Sequence, residues 1–321
     1  MKTKTKVWLI LAASLILVGG ILFVGVMMMH GWNFAKLSTV AYETNRHEIG
    51  EEYQNITVLT KTADVVLVAA EGDVSEVTCY ESKNLLHKVG VKDGTLVIEV
   101  ADTRKWYEYI GINFGIPKIT VSLPAGEYGA LTVRSDTGDV EIPKDFSFVS
   151  VDVEASTGDV TFGASTSDAL RIKLSTGDIR MEQVAAGAID LKVTTGSVTV
   201  DGGICKDEMN LLVSTGDARL SDVSCGSFFS KGSTGDLFLK DLIATESLSA
   251  ERSTGKIKLE KCDAAALSLK TSTGAVSGTL LSEKIFITHT DTGRVDVPSS
   301  SGGGRCEITT DTGDIRIRTD A

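Results

Sequence analysis

The chain has 321 residues, with 43 acidic against 32 basic side chains and a formal net charge of −11. That balance argues against nucleic acid as a partner and against docking of the folded surface on anionic lipid. Its five cysteines, Cys79, Cys205, Cys225, Cys262 and Cys306, include no C-x-x-C spacing, which argues against a structural zinc site.

Residues 7–29 are 23 consecutive positions without a charge, long enough to cross a bilayer as one helix. Lys2, Lys4 and Lys6 precede them with no acid nearby, which predicts a cytoplasmic N-terminus and an extracytoplasmic remainder. The alternative is a cleaved signal peptide. The apolar run is longer than the usual ~7–15 residues and no A-x-A-like site follows, which favours an uncleaved anchor. Without those three lysines the remaining part carries 29 basic against 43 acidic residues, a net of −14. Residues 1–30 are therefore read as cytoplasmic tip and transmembrane anchor, and 31–50 as a juxtamembrane linker.

From Tyr53 the pattern becomes that of strands, and residues 51–130 read as a capping region. Lys61-Thr62-Ala63-Asp64 looks like a degenerate copy of a turn that recurs later, with Ala63 in the glycine's place. Asp93-Gly94 carries the signal of a two-residue hairpin, expected to cover one end of a core. Residues 104–117 lack a clear period and hold Trp106, Tyr107, Tyr109 and Phe114. Such aromatics can cover the end of a core, contact a partner or touch a membrane surface.

Ten Thr-Gly turns then follow at Gly138, Gly158, Gly177, Gly196, Gly216, Gly235, Gly255, Gly274, Gly293 and Gly313, each 19 or 20 residues from the last. Two positions after every glycine is an apolar residue, from Val140, Val160 and Ile179 to Val295 and Ile315. Seven positions before it the series runs Leu131, Val151, Leu170, Ile189 and onward to Cys306. Polar residues alternate with these, which is the period of a strand. The sequence thus predicts an all-β protein: a parallel β-solenoid of stacked two-strand rungs, 19–20 residues each, over residues 131–321. An N-terminal hairpin cap and one N-terminal transmembrane helix complete it. Ten rungs stacked in chain order would give a rod of roughly 45 Å.

Three details follow from that frame. The position three before the glycine runs from Ala155, Leu174, Val193 and Val213 to Gly232, Arg252, Thr271, Thr290 and Thr310. A buried, unpaired Arg252 would be costly, so this position is expected to turn outward in the later rungs. Cys205 and Cys225 both lie nine residues after their glycine, where they could bridge or serve as buried small apolar groups. Arg316 and Arg318 are expected to guard the final strand against edge-to-edge pairing.

The polar column directly after the glycines holds Asp139, Asp159, Asp178, Asp217, Asp236 and Asp314. Carboxylates one strand spacing apart suggest calcium, with Asp139, Asp159 and Asp178 as candidate ligands. Yet aspartate is also a routine turn residue that binds nearby backbone N–H groups, and the calcium β-roll signature is missing, so turn capping is the favoured reading. The four histidines, His30, His47, His87 and His289, form no Ser-His-Asp order, and His289 falls on an outward strand position. Gly302-Gly303-Gly304 reads as a flexible turn and not as a phosphate loop. Neither catalytic residues nor a cofactor are assigned.

The S-T-G-D-[VI] turns, the K-T-A-D-V-V-L-V segment at 61–68 and L-P-A-G at 123–126 resemble a bacterial toast-rack-like β-repeat family of unknown function, labelled as candidate adhesins. The resemblance covers about residues 50–321. It implies a stacked β fold and an envelope or surface setting, with some relatives tied to envelope-stress systems. The family has no agreed activity, so no site residue carries over. The expected function is a non-enzymatic, membrane-anchored binding or scaffold protein of the bacterial envelope, whose partner is an envelope protein or glycan. The alternatives are a polysaccharide-processing enzyme and a calcium-dependent structural module.

Overall fold

The computed structural model describes residues 3–29, 31–32, 40–102, 115–299 and 302–320. One helix, Thr3–Met29, precedes a body built of strands. Its Thr5–Met29 stretch contains an 18-residue window of mean hydropathy 2.8 and is long and apolar enough to cross a membrane.

The body is a β-solenoid. Each Thr-Gly turn reverses the chain between two strands, and equivalent strands of neighbouring rungs pair in parallel. Val140, Val160, Ile179 and Val198 stand in one file, each in register with the next. The file continues through Ala218, Leu237, Ile257 and Val276. A second file across the core runs through Leu131, Val151, Leu170, Ile189, Met209, Phe228, Leu248 and Leu267. All members of both runs are buried at 2% exposure or less. Burying one Val or Leu contributes about 1.5–3 kcal/mol, an upper figure relative to an extended chain.

Stacking explains the glycines. Nine of the ten have φ between +126° and +156°, a region L side chains rarely adopt. A Cβ on Gly177 would also overlap the carbonyl oxygen of Gly158, and one on Gly196 that of Gly177. Every rung's turn sits where the next rung's Cβ would be. A second corner also recurs: Gln183, Gly202, Asp222, Asp241 and Lys261, each six residues after a glycine, all have φ between +48° and +74°. These left-handed residues bend long strands such as Val198–Thr215 and Ala218–Thr234 round the edge of the rod.

The rungs do not stack in chain order at either end. The last strands, Gly304–Thr312 and Ile315–Thr319, insert between the rung of Gly274 and the rung of Gly293. Arg316 and Arg318 therefore do not guard an edge, as their place in the sequence suggested. They lie on a strand paired on both sides, and Arg318 donates to Asp296 Oδ2 at 2.6 Å. At the other end Asn55–Thr60 lies between Glu127–Thr137 and the later Thr95–Asp102. Parallel pairing rewards matched register, not sequence adjacency, which permits both insertions.

The cap is larger than a hairpin. Asp93 and Gly94 do make the tight turn, both with positive φ, and Leu85–Lys92 pairs antiparallel with Thr95–Asp102. Ser75–Ser82 pairs antiparallel with Lys118–Leu123, and Tyr42–Ile49 adds outside it. The linker expected over residues 31–50 thus gives way to a cap strand at Tyr42.

Arg252 is a further correction. It is 2% exposed and points inward. The neighbouring rung has Gly232 in register with it, and a Cβ there would lie 2.9 Å from the guanidinium. Arg252 fills that gap and donates to Ser230 Oγ at 2.9 Å and to the Glu251 carbonyl at 2.9 Å. Burial pulls its pKa down to about 10. Thr271 and Thr310 also stay inside, at 0% exposure, and donate to the carbonyls of Gly255 and Gly274.

All five cysteines are free and buried. Cys205 and Cys225 do stack in register, as small apolar groups.

Candidate functional site

Three places on the described surface and in the core gather chemistry. The first is the aspartate column. Asp139 Oδ1 accepts the backbone N–H of Asp159, Asp159 Oδ1 that of Asp178, and Asp178 Oδ1 that of Ser197, all at 2.8 Å. Asp64 begins the series beside Ala63, accepting from Asp139 N at 2.9 Å. Asp217 and Asp236 continue it, and Asp314 caps Arg294 N in the displaced last pair of rungs. Three of the second oxygens face arginines: Arg219 lies 2.8 Å from Asp217 Oδ2, and Arg180 lies 3.4–3.5 Å from Asp159 and Asp178. Each of the calcium candidates Asp139, Asp159 and Asp178 thus has one oxygen committed to the turn above it. This is the geometry of turn capping carried between rungs.

The second place is a polar cluster inside the cap. Cys79, Glu81 and His87 are buried and bring one ligand atom each within 4.8 Å of one another, the only such group among the described residues. Glu81 and His87 already have their hydrogen-bond partners. Asn45 donates to Glu81 Oε1 at 2.8 Å, and His87 N and Nδ1 meet Glu81 Oε2 at 2.6 and 2.7 Å. His87 Nε2 lies 3.0 Å from Thr60 Oγ1, which in turn accepts Ala63 N–H. An imidazole protonated on Nδ1 satisfies every contact, with the Thr60 hydroxyl donating to Nε2. Burial, and then the charge of Glu81, push the Cys79 thiol up to about 12. A saturated network and a protonated thiol make a tie for the cap, and a poor nucleophile or metal ligand. The alternation of Ser75–Ser82 could have revealed the inward Cys79 and Glu81, but not their meeting with His87.

The third place is an open cleft of about 700 Å³ at the N-terminal end, lined by Tyr53, Tyr128, Glu51, Glu52, Asp73 and Asp93 among others. The two tyrosine rings stack at 6.3 Å, and Tyr128 rests on Phe148 at 5.9 Å. Tyr53 Oη shares a 2.6 Å hydrogen bond with Ser75, and Tyr128 donates to the Pro124 carbonyl. Burial raises both phenols, Tyr128 to about 12. The result is an aromatic wall with an acidic rim, suited to a cation or a hydroxyl-rich ligand. Sequence reasoning missed it, because four segments far apart in the chain build it.

The expected contact residues Trp106, Tyr107, Tyr109 and Phe114 lie outside the described residues. His289 is 69% exposed, as its outward position implied, and pairs with Asp291 at 3.0 Å.

No curated protein matches the chain. Among solved structures, one from Parabacteroides distasonis described as a candidate adhesin is 14% identical, with a TM-score of 0.52 over 87% of this chain and 98% of that one. Another from the same organism, described as a candidate lipid-binding protein, is 18% identical, with a TM-score of 0.51 over 76% of this chain and 98% of that one. Both likenesses concern the fold alone. A family model spans residues 53–318, nearly the whole β body, and by that match the chain belongs to the Toastrack DUF4097 family.

Proposed function

We propose that the protein is a non-enzymatic binding or scaffold protein of the bacterial envelope, anchored by its N-terminal helix with the β body outside the cytoplasm. One observation carries this reading. The repeated carboxylates, instead of converging on a reactive centre, cap backbone N–H groups from rung to rung. What is left for function is displayed surface, including the aromatic, acid-rimmed cleft beside the cap. The three lysines before the apolar run support the orientation, and an adhesive or stress-related role fits a rigid body on a tether.

A cysteine introduced at Ile204, which is 62% exposed, tests the arrangement, since the native cysteines are buried. A membrane-impermeant maleimide should label Ile204→Cys in intact cells, with the protein recovered in the membrane fraction. Labelling only after lysis would reverse the orientation. Turnover of an envelope polysaccharide by the purified full-length protein would replace the binding reading with an enzymatic one.

A further inference from the structure

Among the described residues, the core is closed at one end and open at the other. At the cap, Val77, Cys79 and Leu85 cover the first rung and are themselves 7% exposed or less. At the far end, Lys284–Thr292 is paired on one side only among the described residues, with Gly304–Thr312. Core positions are uncovered there: Val295 is 45% exposed, whereas its in-register neighbour Ile315 is at 0%. Phe286 is only partly buried.

The outward face, polar in the nearest rungs, becomes apolar at the same rung. One outward file reads Asn210, Phe229, Ser249, Ser268 and Glu307 before it reaches Ile287. Ile285 follows Arg305 in the next file. Both isoleucines stand nearly half exposed, at 45% and 49%. Set beside the same two side chains across a continued sheet, Ile285 and Ile287 would shield one another as apolar cross-strand neighbours. The strand's free edge also offers unpaired N–H and C=O groups to another strand.

We propose that this end pairs with the same end of a second copy, Lys284–Thr292 lying antiparallel to its twofold mate. Head-to-tail stacking is disfavoured, because among the described residues the other end finishes in the cap strand Tyr42–Ile49, whose Glu43, Arg46 and Glu48 oppose edge pairing. A closed twofold contact remains. With the axis at Phe286, Ile285 of one copy faces Ile287 of the other, Phe286 meets Phe286, and His289 comes opposite Glu283. Apolar side chains meet apolar ones and a base faces an acid, as favourable cross-strand pairs require. The dimer goes beyond the binding reading and stands whether or not the cleft takes a ligand.

Sedimentation of the full-length protein in detergent tests it. The wild type should sediment as a dimer that dissociates on dilution. Ile285→Lys with Ile287→Lys should raise the dissociation constant at least about tenfold with an unchanged circular dichroism spectrum. Ile285→Cys with Ile287→Cys should cross-link two chains on mild oxidation, while Ile204→Cys should not. A wild type that stays monomeric at micromolar concentration overturns the proposal. So does a dimer that survives both lysines or gives no cross-link, since association then lies elsewhere, the helix included. None of these outcomes bears on the ligand-binding reading.

Discussion

Single residues in this protein answer to the rung above them more than to their chain neighbours. Asp178 is the clearest case, because its carboxylate serves the backbone of Ser197, 19 residues away. Asp178→Ala should leave that N–H without its cap and cost about 1 kcal/mol in chemical denaturation. Asp263 makes a stronger tie. Burial works to raise its pKa, but hydrogen bonds from Lys284 and Ser282 outweigh it and hold the carboxyl below its ordinary 3.8. A carboxyl lowered in this way adds stability above the unfolded value and loses it as pH falls through the folded one. Wild type should therefore lose more stability than Asp263→Asn between about pH 5 and 3, followed by thermal melts across that window. The Asp column and its capping role were legible in the sequence because they repeat. Arg252 was misjudged because its acceptance depends on Gly232, one rung below, and a linear pattern does not display such complementarity.

Elements were legible wherever the period held. The alternation after each glycine gave the strands, and the glycines gave the first corner. The second corner was not visible, because its residues share a backbone conformation and not a side-chain type: Gln183, Gly202, Asp222, Asp241 and Lys261. Only Gly202 takes that conformation without a Cβ penalty. Gly202→Ala should cost about 1 kcal/mol, read as a lowered denaturation midpoint. The cap strand Tyr42–Ile49 also escaped notice, since four of its eight residues are charged or His and its apolar pattern is thin. The cleft at Tyr53 and Tyr128 depends on the same irregular end, where no repeat announces which loops will meet.

The whole molecule is a stack whose spatial order differs from its chain order. The period fixes that rungs pile up, but every rung presents nearly the same interface, so the period alone is blind to their order. Lys284 marks the consequence: its side chain reaches Asp263 at 2.7 Å, past the inserted Gly304, whose missing side chain leaves the way clear. Removing residues 304–321 should strip backbone protection from the adjoining rungs at 276–280 and 284–296, seen as faster amide hydrogen exchange there. Removing residues 284–299, the outermost rung, should leave exchange at 276–280 slow. Equal effects of the two deletions would contradict the observed pairing. The insertion also bears on how the protein is made. Beyond the cap, segments that emerge in order from a ribosome or an export pore could add one by one only as far as Leu280. The strand beginning at Lys284 must then wait, leaving a slot until Gly304–Thr312 and Ile315–Thr319 have arrived. Completion of the distal end thereby awaits residues 304–319, and a chain stalled before them would present a ragged, sticky tip.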